Sequence, residues 1–409
     1  MTRPLTNFPL RIFQIVVLLV VVLAENQYSQ AFSFDKSIVK KAASRRTGSN
    51  RNQIIIINSD STVVLRSSNG NQDKATDKND ENLQEMPGVS QKTRHSLEGR
   101  SVLLTGASGG LGEQLALQIA NYCNPKKLIL SGRKEDALQK IAAECKIGLT
   151  AASLCSGDDA ASDIESIVHI VTADLSEKNS VLALGESAVK ICGGTVDVLI
   201  NCGGVSSRSD FVDTKLEIDE KVMQINFFAG ASLAKAVVPG MIDSSRGGKI
   251  IWISSVQGLM GIPSRTSYAA SKFAVQGYCE ALRAELATSD IGVHCVSPGY
   301  IRTNLSLSAV TGDGSAHGSM DETTANGADA RDVAIEILDS AVARGKGDFV
   351  VAATVSAKVA IWLRLLFPGV LQNLLVKRFE KAKKKKEAAA AATAASEQQP
   401  VAATDKKID

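Results

Sequence analysis

The stretch SVLLTGASGGLGEQLALQIA, residues 101–120, decides the fold. It begins with a short apolar run, Ser101–Thr105, of the kind that forms a buried strand. A glycine-rich turn, Gly106–Gly112, follows, and a helical pattern starts at Glu113. Such a turn lets backbone N–H groups and a helix N-terminus approach a pyrophosphate. The stretch therefore predicts the first unit of a dinucleotide-binding domain.

The alternation of short apolar runs with helical stretches continues to about Thr354. The remaining strand candidates, nearly all apolar on both faces, are Lys127–Leu130, Ile167–Thr172, Val196–Ile200, Lys249–Ser254, Val293–Ser297 and Asp348–Ala352. This pattern predicts an α/β fold: a Rossmann-type, doubly wound parallel sheet of about seven strands in one catalytic domain, residues 97–355. The long connection Cys145–Ser166 is predicted to be a surface insertion.

The chain before this domain has the composition of a targeting leader. An apolar run, Ile12–Ala24, follows two arginines and is short for a membrane span. We interpret residues 1–58 either as a signal and transit leader, which resembles the bipartite leaders of complex plastids, or as an uncleaved membrane anchor. The expected location is membrane-associated, in the endoplasmic reticulum or the plastid, and the sequence does not decide between them. The polar residues 59–96 are predicted to be a disordered linker.

The chain after the domain consists of two segments of different composition. Residues 356–379 are apolar, with a break at Pro368, and are predicted to form an amphipathic or hydrophobic helical segment. It either lies on a membrane, covers the substrate mouth or packs on the domain. Residues 380–409 are rich in Lys and Ala and are predicted to be a disordered tail, whose lysines are able to bind an anionic bilayer.

Bulk composition excludes several classes of function. The formal net charge is +3, and basic residues do not form a stripe with aromatic residues, so nucleic-acid binding is not expected. The seven cysteines include no Cys-x-x-Cys pair and the four histidines are scattered, so we expect no metal site. Apolar surroundings favour reduced, mostly buried thiols.

The residues that end the strand candidates predict the cofactor. The second candidate leads into Ser131-Gly132-Arg133, where an NAD site usually has Asp or Glu for the ribose hydroxyls. Arg133 suits a 2′-phosphate, so NADP(H) is expected and NAD(H) is the weaker alternative. Asp174 follows the third candidate and suits the adenine edge.

A tyrosine and a lysine with helical spacing predict the chemistry. Tyr268 and Lys272 are four residues apart and share one helix face. A free tyrosine titrates near about 10, and a cation close by favours the phenolate, which suits acid–base work near neutral pH. Ser255 ends the fifth candidate, and its loop is able to return the hydroxyl to Tyr268. Pro298–Thr303 supplies a turn and a hydroxyl for a nicotinamide.

These motifs together resemble the classical short-chain dehydrogenase/reductases. The resemblance covers about residues 99–354 and implies that Asn226 holds a proton-relay water. It also matches Asn201 to the first Asn of an Asn-Asn-Ala-Gly motif, from which Cys202 and Gly203 depart. The implied catalytic residues are Ser255, Tyr268, Lys272 and Asn226. The implied cofactor-binding residues are Thr105, Gly106, Ser108, Gly110, Leu111, Gly112, Arg133, Asp174, Leu175, Asn201, Tyr268, Lys272, Pro298, Gly299, Ile301 and Thr303.

Three further stretches, Ser297–Ser306, Met320–Gly327 and Trp362–Gly369, are similar to the membrane-associated member 7B subgroup of that family. The subgroup implies a hydrophobic or lipid-like carbonyl substrate, such as an acyl- or alkyl-dihydroxyacetone phosphate. The expected activity is NADP(H)-dependent reduction of a ketone or aldehyde to an alcohol, with Tyr268 as the general acid. Membrane association and a homodimer are further expectations.

Two alternatives remain open on the sequence alone. The first is a catalytically silent NADPH-binding sensor or scaffold, because a binding fold does not guarantee turnover. The second is another Rossmann-type enzyme, such as a methyltransferase, although the set of Ser255, Tyr268 and Lys272 has no role there.

Overall fold

A computed structural model describes residues 88–156, 164–244 and 246–397. The predicted leader and residues 59–87 of the predicted linker lie outside the described residues, as do residues 157–163 of the predicted insertion and residues 398–409 of the predicted tail.

Seven parallel strands form one sheet in the order β3-β2-β1-β4-β5-β6-β7. The sheet thus confirms the predicted fold class, and the strand order reverses direction between β1 and β4, as in a doubly wound fold. The strands are β1 Ser101–Thr105, β2 Lys127–Gly132, β3 Val168–Thr172, β4 Val198–Asn201, β5 Gly248–Ile253, β6 Ile291–Pro298 and β7 Asp348–Val351.

Helices cover both faces of this sheet. They are α1 Gln91–Leu97, α2 Gly110–Tyr122, α3 Glu135–Ser156, α4 Lys178–Ile191, α5 Leu216–Met223, α6 Ala229–Asp243, α7 Thr266–Glu285, α8 Glu322–Ala325, α9 Ala330–Leu338, α10 Val355–Leu366 and α11 Pro368–Glu397. One π-helical turn, Gln224–Phe228, joins α5 to α6, and a second, Asp339–Ala343, continues α9.

The core has two layers because alternate strand residues face opposite sides of the sheet. Val102 and Leu104 of β1 pack with α2, α3 and α9 in one cluster. Leu103, between them, packs with α4, α6 and α7 in the other. All three side chains are completely buried, which explains why the strand sequences are apolar on both faces.

The folded domain begins earlier than predicted. Helix α1 lies within residues assigned to the disordered linker, and Val89, Thr93 and Leu97 are buried. Asp339 accepts hydrogen bonds from the Thr93 hydroxyl (2.6 Å) and the Ser90 backbone N–H (2.9 Å). The prediction was wrong for residues 88–96 because two apolar residues and one threonine are too few to stand out in a polar segment.

Helix α3 extends through much of the predicted surface insertion. Cys145 and Leu149 are buried against the first core layer, so the helix continues to Ser156 before the residues that are not described. The apolar residues that hold this part of the helix are widely spaced, and the small and polar residues between them suggested a loop instead.

The C-terminal segment is helical, as predicted for residues 356–379, but the helix does not stop there. Helix α11 continues to Glu397, so the predicted disordered tail is helical over its described residues. Lys, Glu and Ala are strong helix formers. Their intrinsic preference explains a helix in a segment whose polar composition predicted disorder.

One helical stretch, Leu216–Asp243, is long and apolar enough to cross a membrane, with a mean hydropathy of 1.4. In this structure it belongs to the core: Leu233, Val237 and Met241 are buried in the second layer. Its apolar character therefore follows from its position beneath the sheet.

Six cysteines are free thiols, in agreement with the prediction of reduced side chains: Cys123, Cys145, Cys192, Cys202, Cys279 and Cys295. Burial raises the pKa of Cys123 and of Cys145 to about 12, so these thiols remain protonated and unreactive near neutral pH.

Candidate active site

A cleft of about 450 Å³ opens at the carboxyl ends of the parallel strands. Its walls come from the segments that follow six strands, as expected for a ligand site in a doubly wound sheet. Most of the predicted site residues line it: Thr105, Gly106, Ser108, Gly110, Leu111, Gly112, Arg133, Asp174, Leu175, Ser255, Tyr268, Lys272, Pro298, Gly299, Ile301 and Thr303.

The glycine-rich turn forms one end of this cleft. Gly110, the first residue of α2, has φ +59°, a conformation that favours glycine. A Cβ on Gly112 would lie 2.1 Å from the carbonyl oxygen of Gly106, so no larger residue fits between the turn and the helix. The turn therefore holds the N-terminus of α2 at the cleft, where its N–H groups and dipole favour a phosphate.

The second strand ends in basic residues on the same side of the cleft. Ser131, Gly132, Arg133 and Lys134 line it, and no acidic residue stands among them. Asp174, which follows the neighbouring strand β3, also lines the cleft. Burial alone would raise the pKa of Asp174, but hydrogen bonds from the Ser176 backbone N–H (2.8 Å) and hydroxyl (2.7 Å) outweigh that effect and keep the pKa below its usual value.

Tyr268 and Lys272 lie in the first two turns of α7, and both are buried at the cleft wall. The Lys272 ammonium is 5.7 Å from the centre of the Tyr268 ring and donates to the Ile253 carbonyl at 2.8 Å. That one bond fixes the ammonium and leaves its other two donors available.

Ser255 follows β5 and lines the cleft with Tyr268. Its hydroxyl oxygen accepts from the Gln257 backbone N–H at 3.1 Å, which fixes the side chain at the start of a short 3₁₀ turn. Among the described residues no acceptor is recorded for the Ser255 hydroxyl hydrogen, so it is available to a ligand oxygen.

Asn226 lies behind the cleft wall, in the π-helical turn. Its side-chain oxygen accepts from the Val205 N–H (2.8 Å), and its side-chain nitrogen donates to the Val205 carbonyl (2.9 Å) and the Ser271 hydroxyl (2.9 Å). The Ser271 hydroxyl in turn donates to the Tyr268 carbonyl at 2.8 Å. Asn226 therefore braces the loop after β4 against the helix that carries Tyr268.

Asn201 does not line the cleft, in contrast to the other predicted cofactor-binding residues. It is buried beneath it in a small cavity beside Trp252 and Gly230, and donates weakly to the Gly230 carbonyl at 3.5 Å. The departure at Gly203 has a packing explanation: a Cβ on Gly203 would lie 2.5 Å from the Leu175 side chain, which fills that space.

A charged cluster that the sequence pattern does not reveal also lies at the cleft wall. Asp321 accepts from Arg208 (2.5 Å) and Arg265 (3.2 Å), and both arginines line the cleft with Tyr268. Burial opposes ionisation of Asp321, yet the Arg208 hydrogen bond and both positive charges outweigh it and hold the pKa below its usual value. Two guanidinium groups share one carboxylate, so this wall is positive.

Comparison with known proteins agrees with this geometry. The family model described as short chain dehydrogenase matches residues 100–313. A "Dehydrogenase/reductase SDR family protein 7-like" of Anopheles gambiae is 40% identical over 296 residues, which are 71% of this chain and 86% of the relative. The "Dehydrogenase/reductase SDR family member 7B" of Bos taurus is 41% identical over 282 residues, 69% and 82% of the two chains.

Solved structures match the same region. A short-chain dehydrogenase from Sphingobium yanoikuyae in complex with NADPH is 26% identical, with a TM-score of 0.51 over 68% of this chain and 95% of its own. A short-chain dehydrogenase/reductase from Burkholderia phymatum in complex with NAD is 21% identical, with a TM-score of 0.53 over 66% and 94%, and shows the shared fold. The family and the NADPH complex from Sphingobium yanoikuyae support a nicotinamide dinucleotide cofactor. The chain therefore belongs to the short-chain dehydrogenase/reductase family of oxidoreductases and is similar to its member 7B proteins.

Proposed function

We propose that this protein is an NADPH-dependent reductase that converts a hydrophobic ketone or aldehyde to an alcohol. One observation carries the proposal: Ser255, Tyr268 and Lys272 share a single cleft with the glycine-rich turn. No role for these three residues is expected in a methyltransferase, and a silent sensor does not need them.

The chain's residues fit a dinucleotide. The turn at Gly110 and the N-terminus of α2 suit the pyrophosphate, and Asp174 suits the adenine end. The preference for NADP(H) rests on Arg133 and on the absence of Asp or Glu among the described residues that end β2. A bound NADPH supplies the hydride, and everything else in the reaction falls to protein side chains.

In the proposed mechanism the Ser255 and Tyr268 hydroxyls hold the carbonyl oxygen of the substrate and stabilise the negative charge that develops on it. Tyr268 gives that oxygen its proton. Lys272, fixed through the Ile253 carbonyl, favours the resulting phenolate by its charge. We further propose that Asn226 helps to return a proton to Tyr268 by holding the loop at Val205 and a relay water in position.

The substrate end of the cleft supports a molecule with both apolar and anionic parts. Val205, Ile225 and Leu305 line it, as do Arg208 and Arg265. This combination favours a lipid-like carbonyl that carries an anionic group, such as an acyl- or alkyl-dihydroxyacetone phosphate. Membrane association, a homodimer and a location in the endoplasmic reticulum or the plastid stay predictions from the sequence.

The test is NADPH oxidation by the full chain with a panel of carbonyls, from small aldehydes to lipid ketones. Tyr268→Phe should lower turnover by about 10²–10⁴-fold, because the proton donor is lost, while NADPH affinity stays within a few-fold. Tyr278→Phe, on the same helix but outside the cleft, is the control and should keep full activity. NADPH binding without oxidation of any carbonyl would support the sensor instead.

A further inference from the structure

Helix α7 carries a third buried polar residue on the face that bears Tyr268 and Lys272. Gln276 follows Lys272 by four residues, as Lys272 follows Tyr268, so the three side chains lie along one side of the helix. Gln276 is 8% exposed and does not line the cleft. A buried amide gives up its hydrogen bonds to water, so its protein partners indicate its role.

Both amide hydrogens of Gln276 are used. The side-chain nitrogen donates to the Ser297 hydroxyl at 2.7 Å and to the Ser254 hydroxyl at 3.2 Å, and the oxygen accepts from the Cys295 thiol at 3.3 Å. The Ser254 hydroxyl gives its own hydrogen to the Lys272 carbonyl at 3.2 Å. Only its lone pairs are then left for Gln276, which fixes the amide with its nitrogen towards the serines.

The two serines occupy equivalent places at the ends of neighbouring strands. Ser254 follows β5 and directly precedes Ser255, and both residues are buried. Ser297, also buried, directly precedes Pro298, where β6 ends and the turn along the cleft begins. We call the segment from Pro298 to Thr303 the β6 turn. A single amide thus joins the helix that carries Tyr268 to the ends of β5 and β6.

The backbone packs tightly around this network. A Cβ on Gly258 would lie 2.7 Å from the Lys272 carbonyl oxygen and 2.7 Å from the Ser254 hydroxyl oxygen. The loop that starts at Ser255 therefore lies directly against the hydrogen bond between these two atoms, with no side chain between them. A change in that bond is passed to the loop without a flexible side chain to absorb it.

The proposed reaction needs these three elements in a fixed arrangement. The hydroxyls of Ser255 and Tyr268 come from different elements and have to reach the same carbonyl oxygen, while the nicotinamide is expected against the β6 turn. A displacement of about 1 Å in such an arrangement costs about 10²-fold in rate. A shift between α7 and β5 should therefore lower the rate constant more than the affinity for the substrate.

We propose that Gln276 is a positioning residue for hydride transfer. Through Ser254 it fixes the Ser255 hydroxyl relative to α7. Through Ser297 it fixes the β6 turn against the nicotinamide end of NADPH. The inference rests on the proposed function and adds to it a residue that touches neither substrate nor cofactor.

The test is Gln276→Met in the full chain, which keeps the length of the side chain and removes its hydrogen bonds. Turnover is measured at saturating NADPH with 4-nitrobenzaldehyde, a small soluble aldehyde, and NADPH affinity from the fluorescence of the bound nicotinamide. We expect kcat to fall by about 10- to 100-fold while the KM for the aldehyde stays within about three-fold. The Kd for NADPH should rise by a few-fold, because the β6 turn is released.

Two smaller substitutions separate the two arms of the network. Ser254→Ala should lower kcat by about 10-fold and leave the Kd for NADPH unchanged, whereas Ser297→Ala should raise that Kd by a few-fold. Gln276→Met combined with Ser254→Ala should have a kcat within about three-fold of the lower single variant, because both changes break the same connection. Losses that multiply in the double variant would show that the two residues act separately and would overturn the proposal.

A matched control separates positioning from the loss of a buried amide in general. Gln118 on α2 is 3% exposed, and its side-chain oxygen has no hydrogen-bond partner among the described residues. Gln118→Met should keep kcat within two-fold of wild type, with thermal unfolding measured for both variants. If Gln276→Met unfolds at a lower temperature but its folded form keeps the wild-type kcat, Gln276 only packs the core and the proposal is wrong.

Failure of the proposed function gives a different result. The wild type then binds NADPH and reduces no carbonyl compound, and the nicotinamide fluorescence alone decides on the network. A Kd that rises in Gln276→Met and Ser297→Ala, but not in Ser254→Ala, would keep Gln276 as the residue that positions the β6 turn. Equal Kd values in the wild type and all three variants would reject the positioning role together with the reductase.

Discussion

In the proposed function single side chains determine the cofactor preference and the chemistry, and several of them are recognisable from local spacing. Arg133 follows a strand directly, and Tyr268 and Lys272 are one helical turn apart, so the sequence alone brings each set together. The cluster of Arg208, Arg265 and Asp321 could not be found in that way. Arg208 is 113 residues from Asp321 in the chain and Arg265 is 56 residues from it, so only the tertiary fold brings the three side chains to one wall.

A substitution at Arg133 tests the proposed preference for NADP(H) over NAD(H). Arg133→Asp replaces a cation suited to a 2′-phosphate by an anion that repels it. We expect the KM for NADPH to rise by about 10- to 100-fold, the loss of one or two charged hydrogen bonds, while the KM for NADH falls or stays the same. Lys140→Asp, exposed on α3 and away from the cleft, is the control. An unchanged ratio of the two KM values would reject the role of Arg133.

At the scale of elements, the sheet and its helices follow from sequence patterns, whereas the ends of the domain do not. Strands β1, β2, β4, β5 and β6 are mostly buried on both faces, and their apolar runs make them visible in the sequence. Helices α1 and α11 depend on other causes: α1 on two hydrogen bonds to Asp339, and the end of α11 on the helix preference of Lys and Ala. Neither cause produces a periodic pattern of apolar residues in the sequence.

The attachment of α1 can be tested at Asp339. Asp339→Ala leaves the Ser90 N–H and the Thr93 hydroxyl without their acceptor, which should lower the free energy of unfolding by about 1–3 kcal/mol. Hydrogen exchange should become faster in α1 and stay unchanged in β1. The control is Asp332→Ala, an exposed carboxylate on α9. Equal exchange rates in α1 for both variants would show that the apolar contacts alone hold the helix.

At the scale of the whole molecule, a buried histidine links stability to pH. His294 lies on β6, and its Nδ1 donates to the Lys346 carbonyl at 2.6 Å. Burial lowers its pKa to about 4, with the charges of Lys249 and Arg283 in the same direction, against the carbonyl bond and Asp348. The pKa of an unfolded histidine is about 6.5. Between the folded and the unfolded pKa the unfolded chain therefore binds a proton that the folded chain does not.

Stability should therefore fall as the pH is lowered through this window. The His294 contribution is about 2 kcal/mol between pH 7 and pH 5, which urea unfolding at the two pH values measures. Between pH 7 and pH 5 the free energy of unfolding of His294→Gln should change less than that of the wild type, by this amount, whatever the absolute stability of the variant. The same pH dependence in His294→Gln as in the wild type would assign the effect to other groups.

The clasp of Val89, Ser90 and Thr93 on the domain has a consequence for maturation. A protease does not cut within this clasp while the domain is folded, because Val89 is buried and Ser90 is hydrogen-bonded. Whatever signal the preceding residues carry, the mature polypeptide should begin at or before Gly88. The first residue of a trimmed protein would thus be determined by packing as much as by the specificity of the peptidase.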